Sequence, residues 1–151
     1  MWKLALLSVL LMPGFALGQN ISSSDARSIA YAMQDLGYRA VIGMDSMGDP
    51  KITSSSNGVN FSVFFYGCRD NAKCRDIQFS AGFDLDDPLT ALKMNQWNHE
   101  KVAGTASIND EGDPWIRMLV PGATDLSQAD FERIINRWDS ALAEFLDYVD
   151  W

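Results

Sequence analysis

Histidine occurs once in this chain, at His99, and cysteine only twice, at Cys68 and Cys74. Two thiols are too few for a structural zinc site, and His99 is the only imidazole to add to them. The same scarcity removes most catalytic layouts. His99-Glu100 begins like a zinc-protease helix, but Ala103 stands where the second histidine must be. Serine, histidine and aspartate are all present, yet no Gly-x-Ser-x-Gly elbow exposes a nucleophile. No glycine-rich phosphate loop occurs. Basic residues are few as well: 12 Lys and Arg stand against 20 Asp and Glu, a formal charge of −8. Phosphate backbones and anionic lipid surfaces select basic patches, so nucleic acid and a membrane surface are poor partners. A basic protein, a cationic ligand or a divalent ion remains open. No catalytic centre, metal site or cofactor site assembles from these residues.

The first residues have the pattern of a secretory leader. Lys3 gives the positive start, Leu4 to Met12 the apolar run, and Pro13-Gly14 the helix break. Ala16-Leu17-Gly18 then places small residues for cleavage between Gly18 and Gln19. The apolar run is shorter than the roughly 20 residues a membrane span needs. No cysteine follows Gly18 to carry a lipid anchor. The expected arrangement is a signal peptide over 1–18 and one domain over 19–151, periplasmic or secreted, with no membrane anchor after cleavage. In such an oxidising compartment an even pair of cysteines reads as a disulfide, Cys68 to Cys74.

The rest of the chain reads as three helices and two groups of strands. Ser22 to Asp25 offers cap oxygens before the apolar repeat Ala26, Ile29, Ala30, Met33 and Leu36, and Gly37 ends that helix. Tyr38 to Met44 alternates as a strand, with Tyr38, Ala40, Ile42 and Met44 on one face. A weak strand follows over Lys51 to Ser54. Asn57-Gly58 signals a hairpin into Val59 to Tyr66. Phe61, Val63 and Phe65 share one face of that strand. Cys74 to Phe83 alternates likewise, with Ile77, Phe79, Ala81 and Phe83 together, so the disulfide would pin the register of two facing strands. Asp86 or Asp87 is the expected cap of a helix from Leu89 to about His99, with Pro88 in its first turn. Gly104 to Ile108 and Trp115 to Val120 form a second hairpin around Asn109-Asp110-Glu111-Gly112-Asp113. A long helix runs from Ser127 to Val149. The order α-β-β-β-β-α-β-β-α predicts an α+β domain, an antiparallel sheet of about five to six strands with helices packed on it.

Few side chains stand out as functional candidates. Asp84, Asp86 and Asp87 near Asn98 and His99 could do acid/base work or bind an ion, if they converge in a pocket. Asn109 to Asp113 resembles part of a calcium loop, but Met118 occupies the position that needs a bidentate glutamate. Trp97, Trp115 and Trp138 either fill the core or line a groove. Phe131, Ile135, Trp138, Leu142, Phe145 and Val149 also fit a coiled-coil seam, which would make a homodimer.

Phe65-Tyr66-Gly67-Cys68, Cys74 and Gln78 to Phe83 resemble the centre of the bacterial YbjN-like family, often labelled sensory transduction regulators. Asn95, Trp97-Asn98 and Lys101 are similar to its Asn-x-Trp-Asn stretch, and Asp110 to Asp113 to its next turn. The Phe131, Trp138, Phe145 helix closes a match running from about Ser22 to Val149. This resemblance implies a fold like that of type III secretion chaperones, helices backing a curved antiparallel sheet, and implies no catalytic activity. The expectation is therefore a non-enzymatic, chaperone-like or regulatory module of the cell envelope without a cofactor. It would engage another envelope protein through its sheet face or the groove beside the last helix, with Trp97, Asn98, Trp115 and Trp138 as candidate contacts.

Overall fold

The structure is a computed structural model that describes residues 20–151. The expected leader and its cleavage point lie outside the described residues. Nine elements follow one another: α1 (Ala26–Asp35), β1 (Val41–Met44), β2 (Pro50–Ser56), β3 (Val59–Tyr66), β4 (Asp76–Gly82), α2 (Ala91–Glu100), β5 (Thr105–Ile108), β6 (Pro114–Val120) and α3 (Gln128–Val149). The strands make one six-stranded sheet, ordered β1-β2-β3-β4-β6-β5, with every neighbouring pair antiparallel. The α+β class and the order of elements are those expected from the sequence.

Alternation along the strands decides which face is buried. Ile52, Val63, Phe79 and Met118 sit in register across four strands, and Phe65, Ile77 and Val120 across three. These side chains point into one core, where the helices contribute Ile29 and Met33, Met94 and Trp97, and the row Phe131, Ile135, Trp138, Leu142, Phe145 and Val149. The opposite row carries Thr53, Ser62, Ser80 and Arg117, again in register, so that face is largely polar. At the β2–β3 turn, Asn57 and Gly58 both have positive φ, 50° and 79°, the backbone a two-residue hairpin of matching twist requires.

The long helix has a well-made start. Ser127 caps α3 by accepting from the Asp130 amide at 3.1 Å, and the Asp130 carboxylate takes both the Ser127 hydroxyl and its amide. Those bonds, the hydroxyl first, hold the Asp130 carboxyl below its usual range, and Arg133 adds to the effect. Ser127→Ala should cost about 1 kcal/mol in a urea titration. Cap stabilisation through Asp130 is present above the ordinary carboxylate range and is lost as pH falls through the lowered folded value. In the Ser127→Ala variant, the Asp130 carboxyl should titrate closer to its ordinary value by NMR.

Strand β2 runs longer than expected, over Pro50–Ser56, and β4 shorter, over Asp76–Gly82; two further differences each have a tertiary reason. The first strand begins at Val41 rather than Tyr38, because the backbone before it is committed to the end of α1. The Tyr38 amide donates to Met33 O, and the Gln34 side chain donates to Ala40 O. The strand has no buried face: Val41, Ile42 and Met44 are all exposed, since β1 is the sheet edge. The second helix is capped by Thr90, whose hydroxyl accepts from the Lys93 amide, and not by Asp86 or Asp87. The β5–β6 turn holds the segment before it. Leu89 donates to Gly112 O, and the Leu85 amide to the Asp113 carboxylate.

A groove beside the last helix

Strands β5 and β6 are unequal. Residues Thr105 to Ile108 pair with Pro114 to Arg117, leaving Met118, Leu119 and Val120 without a neighbour on that side. The chain leaves the sheet edge at Gly104, whose φ is +80°. Its carbonyl is held at 2.7 Å by the indole N–H of Trp97. Asn98 then clamps the start of β5, accepting from the Ala106 amide at 2.7 Å and donating to its carbonyl at 3.0 Å. Tryptophan and asparagine of α2 thus hold the start of β5. Gly104→Ala forces a side chain into a left-handed backbone and places Cβ 2.6 Å from Ile116 Cδ1. The backbone alone should cost about 1–2 kcal/mol in a denaturant titration, and the fully buried Ile116, whose Cγ1 would also lie at 2.9 Å, adds to that loss.

Where β5 falls short, a groove of about 600 Å³ opens between β6 and the first half of α3. Met118, Val120, Leu126 and Ile134 give it apolar walls, and Val102 stands fully exposed at its lip. Arginines mark both sides: Arg117 from β6, and Arg133 and Arg137 one turn apart on α3. Arg117 donates to Ser107 at 2.8 Å and lies 5.1 Å from the centre of the Trp115 ring. Arg133 is paired with Asp130. Arg137 makes no ion pair or hydrogen bond among the described residues. In a neighbouring cleft, Lys101 and Glu144 meet at 2.7 Å, and that bond raises the lysine pKa above its usual value.

The residues singled out in the sequence are scattered through the structure. Trp97 and Trp138 are completely buried and present no surface. Trp115 is half-buried, its ring lying where a Cβ on Gly82 would stand. Asn98 spends its amide group on Ala106. Cys68 and Cys74 are bonded to each other. Asp84, Asp86 and Asp87 line a separate cleft of about 440 Å³ with Lys93, Asp150 and Trp151, away from Asn98 and His99. Among the described residues no cluster of three or more His, Cys, Asp or Glu is arranged to hold a metal. The seam residues of α3 are buried against the sheet, so a dimer through that seam would have to strip them from this core. The groove residues Leu119, Ile134, Arg133 and Arg137 carry no motif that marks them in the sequence. Their one signal is the inequality of the hairpin's two arms.

The structure is thus an open-faced α+β sheet with an apolar, arginine-edged groove at its short edge. Among known families, the chain matches YbjN, described as "Putative bacterial sensory transduction regulator", over residues 25–151. It belongs to that family. No curated protein matches it.

Proposed function

We propose that this protein is an exported, non-enzymatic binding module of the bacterial cell envelope, which holds another envelope protein in the groove between β6 and α3. The groove itself carries the reading. Apolar Met118, Val120, Leu126 and Ile134 open to solvent there because β5 ends early, and the exposed Leu119 and Val102 extend the apolar surface. Export is supported by the leader pattern and by the Cys68–Cys74 bond, which suits an oxidising compartment. A regulatory role agrees with the family's description.

A photo-crosslinking residue at Val102, in the full chain expressed in a bacterial host, tests this reading. Leu92, 68% exposed and outside the groove, is the control position. One discrete envelope protein should be captured at Val102 and not at Leu92. Intact mass of the exported chain should lack residues 1–18 and two hydrogens. No adduct, or the same adducts at both positions, would overturn binding; a reduced full-length chain in the cytosol would overturn export.

A further inference from the structure

We propose that the groove takes an extended, acidic and apolar segment of its partner, added as a strand beside β6 in the lane that β5 leaves empty; this rests on the reading of the groove as a protein-binding site. The hydrogen-bond alternation locates the docking rung. Phe83 N donates to Pro114 O, so Pro114, Ile116, Met118 and Val120 turn their backbone groups toward β4. Trp115, Arg117 and Leu119 turn theirs toward β5. Arg117 meets Thr105 there, but Leu119 meets nothing, because Gly104 has already carried the chain away. Its amide and carbonyl have no backbone partner among the described residues. An unpaired rung beside an apolar groove is a template for strand addition. The lane beside Met118 to Val120 is about 10 Å long at strand rise, room for three or four residues of an occupant.

Side-chain chemistry narrows the occupant. In an antiparallel strand, residues opposite Met118 and Val120 would turn inward toward Leu126 and Ile134, so those should be apolar. Arg117, Arg133 and Arg137 flank the lane, in a chain whose formal charge is −8. Carboxylates on the outward-turned residues would meet Arg117, which shares that face, and would feel the positive field of Arg133 and Arg137 from the α3 side, while lysines would meet repulsion. The contacts of Arg117 with Ser107 and of Arg133 with Asp130 hold both side chains in place and leave other N–H groups free. Among the described residues, Arg137 has all of its donors uncommitted.

The test uses the full chain and two labelled six-residue probes, one alternating valine and glutamate, the other valine and lysine. The glutamate probe should bind saturably in fluorescence anisotropy, more weakly at high salt, and should shift the Leu119 amide in NMR. The R133Q/R137Q double variant, with an unchanged circular dichroism spectrum, should bind it about tenfold more weakly. A Leu119→Pro variant removes the donor on the open side, where proline is tolerated at a strand edge, and should also lose affinity. The proposal is overturned if the glutamate probe fails to bind, if the lysine probe binds as well, or if R133Q/R137Q binds unchanged. A crosslinked dimer of this chain at Val102 would assign the groove to a second copy and overturn it too. If the glutamate probe fails while Val102 still captures an envelope protein, the segment chemistry is wrong and the binding reading survives.

Discussion

Trp138→Ala should cost about 3 to 5 kcal/mol of stability, more than any other single substitution proposed for this core. Trp138 is fully buried on α3 and lies 5.5 Å, ring centre to ring centre, from both Phe61 of β3 and Phe79 of β4. Its indole therefore joins the helix to the middle of the sheet, and alanine would leave a large cavity that rigid strands cannot close. Trp138→Phe keeps most of that contact. It also removes a buried indole N–H that has no hydrogen-bond partner. This milder change should cost no more than about 1.5 kcal/mol. Trp97→Phe is the informative contrast, because its N–H is bonded to Gly104 O. Stranding that carbonyl should add about 1–3 kcal/mol to the packing loss. Urea titrations of the three variants test the ranking. Equal losses in Trp97→Phe and Trp138→Phe would contradict it, even if Trp138→Ala does not fold.

Removing the disulfide should cost about 2 to 2.5 kcal/mol through loop closure. The bond closes the short loop from Cys68 to Cys74, in which Asp70, Asn71 and Lys73 all have positive φ. Holding that loop closed supports more than the β3–β4 register. The buried Ser23 hydroxyl donates to Cys74 O at 2.9 Å, which ties the segment before α1 to the bridge. Asn71 reaches the β1–β2 turn, donating to Met47 O and to the Asp49 carboxylate. A C68A/C74A variant should therefore show a lower urea midpoint, and faster amide exchange at Ser23 and around Met47. Reductant should lower the midpoint of the parent protein and leave the variant unchanged. A parent midpoint indifferent to reductant would contradict this account.

Strict alternation made β3 and its buried row Phe61, Val63 and Phe65 legible in the sequence. The Asn57-Gly58 hairpin and the periodic row of α3 were equally plain. Each depends on residues close in the chain, and the structure leaves these patterns undisturbed. The start of α2 was not legible, because Gly112 O and the Asp113 carboxylate, more than twenty residues away, capture Leu89 and Leu85. The exposure of β1 escaped alternation for another reason: a period of two says which residues share a face, and not whether anything covers it. The groove was nearly invisible. Only the difference in length between β5 and β6 creates it, and the start of β5 is held by a bond between Trp97 and a carbonyl of the loop after its own helix.

The emptiness of the lane beside β6 is open to one direct measurement, amide hydrogen exchange in the free protein. Met118 and Val120 should exchange slowly, because their amides point to β4, and Leu119 between them should exchange fast. Addition of the valine–glutamate probe should slow Leu119 alone of the three. A Leu119 amide already as protected as its neighbours would mean that the lane is filled, and there would be no place for a partner strand.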